Sequence, residues 1–267
     1  MRTGSRTVPG RAKQERSTKS TVVKALLVIA VVAALVGFWA ALVSVLHVPR
    51  YVAPGPAAVA RGLATNWGLI FSNLQETALE AITGFAVGTV LAVGLGLLFL
   101  YIKPLRDGLF PLAIGVSTVP LVAVAPILVL IFGQGFLSKV VMTAMISFFP
   151  TLVNVGKGLE SVEDETLDLF HVLNASRRQL LVKVRVHTAQ PYFFSALRIT
   201  ATACVIGAII AEWVGSERGL GFLIIQETFN FNAVLLWGVM IMSAALATVF
   251  YLAIAGVEKL ANRHRVQ

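Results

Sequence analysis

The residues able to do chemistry are few and scattered. His47, His171, His187 and His264 are far apart, with no HExxH pair and no carboxylates at ligand spacing. They read as chance surface histidines. Cys204 is the one cysteine, which excludes an intramolecular disulfide and a cysteine-based metal site. It reads as a small apolar residue. The run from Gly133 to Lys139 approaches a phosphate-binding loop, but Ser138 stands where the second glycine belongs. The sequence therefore predicts no catalytic residue, no metal and no cofactor. What remains is three ionisable residues inside apolar stretches, Glu80, Arg198 and Glu212. Buried ionisable residues usually mark ion pathways, although each of these three can also reach an interface by snorkelling. That leaves a stand-alone ion-coupled carrier as an alternative, although no inverted repeat of the kind such carriers often show is visible.

Composition sets the frame for these residues. Of 267 residues, 57% are hydrophobic and 13% charged, and mean hydropathy is +0.83. A soluble domain carries about 25% charge, so this chain cannot coat a water-facing surface. It predicts several membrane spans. The net charge of +9 would suggest nucleic acid in a soluble protein; here its placement decides its meaning.

Residues 1–21 form a basic, solvated tail. The run 22–46 is longer than the apolar region of a signal peptide and reads as a retained first span. Further apolar stretches at 73–101, 108–132, 139–156, 193–215 and 233–257 approach the roughly 20 residues that cross a bilayer. Six spans predict an all-α membrane protein with both termini on one side. The permease domain is expected over 22–257, with a second tail at 258–267.

Lys and Arg counts choose the side. With the N-terminus inside, the tail contributes seven (Arg2 to Lys24) and Lys103 and Arg106 two. The loop 157–190 contributes five and the C-terminus three, making 17 inside. Four lie outside: Arg50, Arg61, Lys139 and Arg218. Both termini are expected to be cytoplasmic, residues 47–72 and 216–232 external, and nucleic acid is not expected as a partner.

Local signals fit this division. Ser72 with Gln75 reads as a capping box opening the second span. Gly84 and Gly88 form a GxxxG that permits close helix approach, most simply within one subunit. Pro111, Pro120 and Pro126 interrupt the third span. Irregular backbone survives in a membrane where protein or a watery cavity surrounds it, so Pro120 and Pro126 are candidates to line a pathway, with Glu212.

The long polar segment, 157–190, has internal order. Ser161 with Asp164 resembles a capping box, and Leu167, Phe170 and Leu173 give a short helix one apolar face. Asn174 can take the left-handed conformation that ends a helix. Ser176 with Gln179 is a second capping box, and Leu180, Leu181 and Val184 continue a new helix until Pro191. A DNA-binding helix–turn–helix needs its own core, whereas this one is tethered at both ends to spans. A merely solvated basic loop does not explain an apolar face in water.

Asp168-Leu169-Phe170, Asn174-Ala175-Ser176, Val184-Arg185-Val186 and Pro191-Tyr192 together resemble the cytoplasmic "EAA" loop of ABC-importer permeases. Gly207 to Trp213 and Gly219-Leu220-Gly221 resemble that family's closing segment, in its nitrate/sulfonate/taurine branch with vitamin-precursor relatives. Val52 to Pro56 and Val119 to Pro126 fit the same branch. The sequence departs from the pattern at Asn174 (glycine in the family), Asp168 (glutamate), Leu169 and Phe170 (alanines) and His187 (proline). Asn keeps the turn because it tolerates positive φ.

The resemblance implies a six-span, type I importer-like permease in the cell membrane, not an enzyme, whose ATP chemistry belongs to cytosolic ATPase subunits. It implies an extracytoplasmic binding protein and two permease copies facing each other. Leu167, Asp168, Leu169, Phe170, Leu173, Asn174, Ala175 and Ser176 become the expected ATPase-coupling residues, with Phe170 at the centre of the docking face.

Overall fold

The computed structural model describes residues 9–265, so the outermost residues of both basic ends lie outside it. All regular structure among the described residues is helical. In chain order the helices are α1 (Pro9–Val45), α2 (Pro56–Thr65), α3 (Trp67–Tyr101), α4 (Lys103–Ser117), α5 (Leu121–Phe132), α6 (Phe136–Glu160) and α7 (Asp164–Val172). They continue with α8 (Arg177–Leu180), a π-helical turn (Leu181–Arg185), α9 (Val186–Glu212), α10 (Leu220–Phe229) and α11 (Ala233–Ala261), closed by a 3-10 turn (Asn262–Arg265).

Five of these are long and apolar enough to cross a membrane. The sixth crossing expected over 108–132 is two helices, α4 and α5, meeting at 102°. Of the three prolines there, Pro120 alone breaks the chain, while Pro111 and Pro126 sit inside α4 and α5. The difference lies in Ser117 and Thr118. Their hydroxyls donate to the carbonyls of Ile114 (2.6 Å) and Gly115 (2.7 Å), satisfying the end of α4 just where Pro120 can offer no N–H.

The centre of the bundle is α3, α6 and α9, with α11 against α9 and α5 against α6. Its tightest seam is α3 on α6, and glycine makes it possible. A Cβ at Gly88 would fall on the backbone carbonyl of Ala144, and one at Gly84 would lie 2.8 Å from the Val140 carbonyl oxygen. Backbone contact this close lets Ser147 donate to the Phe85 carbonyl at 3.3 Å. The GxxxG thus packs within the subunit, and small residues serve their usual purpose in lipid. Ala81, Phe85, Leu197, Ala201, Cys204 and Ala208 form the apolar core beside it. α1 is the outlier: its span has no fully buried residue and touches the bundle through α2 and a Trp39–Trp237 stack.

Several sequence expectations shift. Ser72 does not cap the second span, because α3 already begins at Trp67 and the Ser72 hydroxyl donates to Leu69 O. Ser161 does not cap α7; it closes α6 by donating to Gly158 O, and Glu163 occupies the N-cap without a side-chain bond. Pro191 marks no break, since α9 runs through it. The segment 216–232, read as an external loop, is largely α10, whose Leu220 and Leu223 are fully buried. The fourth span is longer than 139–156, running to Glu160 despite Pro150.

Candidate functional site: a projecting helix and a buried polar clamp

At one end of the bundle α7 stands away from the other helices. Its first turn holds Asp164 and Glu165, which suit the positive end of the helix dipole. Its far end is closed by Asn174, at φ 51°. The Asn174 N–H donates to His171 O at 2.9 Å and the Ala175 N–H to Phe170 O at 3.0 Å, the paired bonds of a Schellman ending. Two residues later Ser176 opens the next helix with a complete capping box. Its oxygen accepts from Gln179 N at 3.3 Å, and its own N–H donates to Gln179 Oε1 at 2.8 Å. From Arg177 the chain is helical to Glu212. Arg185 donates to Leu159 O at 2.6 Å, and Val162 is buried. Both ends of the α7 unit are therefore anchored to α6 and α9, while α7 itself is held out on short, defined turns.

The expected coupling residues differ in exposure. Leu167 and Phe170 are half-buried within the chain. The apolar side chains presented outward are Leu169, Val172 and Leu173, at 56%, 84% and 66% exposure. Their i, i+3, i+4 spacing makes one stripe. Asp168 is also exposed.

At the opposite end, four elements (α3, α6, α9 and the turn into α10) converge on a polar cluster that the sequence left as separate residues. Asn73, Thr77 and Glu80 share one face of α3, at i, i+4 and i+7. Thr77 donates to Glu212 Oε1 at 2.7 Å and accepts from Leu220 N at 2.8 Å. Asn73 Oδ1 accepts from Gly219 N at 2.7 Å, and Glu212 Oε2 from Gly221 N at 2.5 Å. Glycine is required at 219 and 221: the first has φ +109° and a Cβ there would run into the Glu212 carboxyl, while a Cβ at 221 would fall on the Ile209 backbone carbonyl. Lys139 of α6 pairs with Glu80 at 3.2 Å, their side chains 10% and 3% exposed.

The cluster corrects two readings. Glu80 and Glu212 do not snorkel but are buried with partners, and Lys139 is no free external charge. Arg198 is paired as well, with Glu258 at 3.2 Å. Glu212 is 1% exposed in the single chain and holds the turn into α10. Pro120, just before α5, and Pro126, within it, are exposed, whereas Ala125 and Leu128 pack on Met142 and Ala211. The α3 polar stripe was visible in the sequence, but nothing local pointed to Lys139 as its partner.

Comparison with known proteins agrees with this architecture. Residues 84–266 match the family described as binding-protein-dependent transport system inner membrane component. The chain is 33% identical over 236 residues to an ABC transporter permease protein of Haemophilus influenzae, covering 88% of this chain and 95% of the relative. It is 33% identical to the formylaminopyrimidine transport permease protein of Halalkalibacterium halodurans, covering 79% and 84%. Likeness extends, at 26–30% identity, to permeases named for aliphatic sulfonates, nitrate and taurine. Among solved structures, an inward-facing MetNI methionine ABC transporter chain matches with a TM-score of 0.64 at 18% identity, covering 74% of this chain and 98% of that one. The polytopic helical bundle, the projecting helix between α6 and α9 and these relatives agree: the chain belongs to the binding-protein-dependent transport system inner membrane component family, the membrane permeases of ABC importers.

Proposed function

We propose that this permease transmits ATPase motion through α7 and forms, with a second copy, the pathway for a small substrate of the vitamin-precursor or sulfonate/nitrate/taurine class. The observation that carries the reading is the outward stripe Leu169–Val172–Leu173 on a helix held clear of the bundle. An apolar stripe at the polar end of a membrane protein has no lipid to cover it, so it marks a docking surface. Its receiver is a cytosolic ATPase subunit, which places the α7 end, and both termini, in the cytoplasm in accord with the positive-inside count. An external binding protein delivers substrate at the α10 end.

The break at Thr118–Pro120 supports a second copy. Irregular backbone does not face lipid within the hydrocarbon region, yet residues 118–120 are exposed in the single chain. A facing copy, or a watery path between two copies, covers them. Pro120 and Pro126 then line that path, and Glu212 shapes it indirectly through the α9–α10 turn. Substrate choice is assigned to the binding protein. An ion-coupled carrier acting alone would transport without any ATPase.

The test is co-purification and uptake. Burying a Leu side chain contributes roughly 1.5–3 kcal/mol, so Leu169→Ala with Leu173→Ala should weaken ATPase association at least tenfold and reduce uptake in step, with membrane insertion unchanged. Phe170→Ala, half-buried in the chain, should act through the position of α7. A double variant with full ATPase assembly and full uptake would remove α7 from the coupling role.

A further inference from the structure

A cavity of about 500 Å³ opens where the α3–α4 elbow meets the start of the α8–α9 helix. Three cations line it: Lys103 from the elbow, and Arg177 and Arg185 from the facing helix. None of its lining residues is acidic, and none of these cations enters an ion pair among the described residues. Arg185 is set in place by its bond to Leu159 O, while Lys103 and Arg177 are exposed. Positive charge is thus concentrated in a concave site, whereas Arg178 and Lys183, equally exposed nearby, lie outside it.

The surroundings are apolar. Leu100, Tyr101, Pro104 and Leu180 share its lining with the cations, and Tyr101 and the adjoining Ile102, at the end of a membrane-spanning helix, are 47% and 43% exposed. Apolar side chains flank a basic hollow at the end of two spans, on the basic end of the bundle. Basic pockets between spans of this kind hold anionic lipid headgroups.

We propose that this cavity binds the phosphodiester headgroup of an anionic phospholipid. Lys103 and Arg177 meet the phosphate, Arg185 forms the floor, and the acyl chains run along the exposed apolar walls. The bound lipid bridges the α3–α4 elbow and the helix that follows the α7 unit.

Native mass spectrometry of the full-length chain, with dioleoyl-phosphatidylglycerol or dioleoyl-phosphatidylcholine added to the detergent, tests this. Wild type should retain phosphatidylglycerol in preference to phosphatidylcholine. Each basic residue near a membrane surface contributes about fivefold to anionic lipid affinity, so Lys103→Gln with Arg177→Gln should lower phosphatidylglycerol retention roughly 25-fold. The charge-matched control, Arg178→Gln with Lys183→Gln, should retain it. Both pairs are exposed, and unchanged melting of the lipid-free variants confirms that they fold. Equal retention of the two lipids, or equal losses in the two double variants, would overturn the proposal in favour of a diffuse positive field. Displacement of phosphatidylglycerol by millimolar inorganic phosphate would overturn it in favour of a free-anion site. Unchanged lipid retention in the Lys103/Arg177 variant with lost ATPase co-purification would overturn it in favour of an ATPase contact.

Discussion

Replacing Lys139 by methionine keeps the stem of the side chain and removes the cation that faces Glu80. The pair sits at 3.2 Å with both side chains nearly closed to solvent. At an effective dielectric of about 20, a separation of that size corresponds to roughly 5 kcal/mol of attraction. Among the described residues Glu80 has no second cation to take over: its other oxygen, Oε2, is buried without a hydrogen-bond donor, and the ionisable groups beside it other than Lys139 are the carboxyls Glu212 and Glu76. Breaking a buried pair from one side typically costs about 3–5 kcal/mol, whereas replacing both members by neutral groups is often close to neutral. Lys139→Met should therefore lower unfolding free energy in mixed micelles by about 3–5 kcal/mol, and Glu80→Gln with Lys139→Met should recover most of it. Loss should also be local. The amides of Gly219, Leu220 and Gly221 are held by Asn73, Thr77 and Glu212, so their hydrogen exchange should speed up in the single variant and return toward wild type in the double. A single variant within about 1 kcal/mol of wild type, or a double variant no better than the single, would refute this account of the clamp.

Three further predictions concern the seam, the α7 turns and the orientation. Gly88→Ala places a Cβ on the Ala144 carbonyl and should destabilise by about 1–3 kcal/mol, as overpacking does. Gly94→Ala, with open space around it, should be neutral or stabilising; equal melting of the two would sink the seam argument. Asn174→Gly should leave uptake unchanged because glycine accepts positive φ, Asn174→Val should impair it, and Ser176→Ala should lose a cap of about 0.5–2 kcal/mol. Transport at the wild-type rate by Asn174→Val would show that this turn does not aim α7. In a Cys204→Ala background, an impermeant thiol reagent applied to intact cells should label Glu217→Cys and spare Ser161→Cys, both exposed positions; the reverse pattern would invert the proposed orientation.

What the sequence determined by itself was whatever depends on neighbours along the chain or on composition. Low charge and long apolar runs required membrane helices, because no short-range arrangement hides that much apolar surface from water. Asn174 and Ser176 announced their turns because an αL ending and a capping box are closed by bonds within a few residues. Glycine spacing on α3 foretold close packing, since the absence of a Cβ is a local property that any partner helix can use. Tertiary structure alone decided which groups meet. Glu80 finds Lys139 across 59 positions of chain, and Glu212 turns back to α10 instead of reaching the interface. Desolvation demands a partner for a buried charge but does not name one. The same limit explains α7, where periodicity showed an apolar helix but the fold left Leu167 and Phe170 half-buried and Leu169, Val172 and Leu173 outward. It explains the third span too, where three prolines are alike in sequence and one breaks the helix. There the hydroxyls of Ser117 and Thr118 close α4 just before Pro120, and Pro111 and Pro126 have no such pair before them.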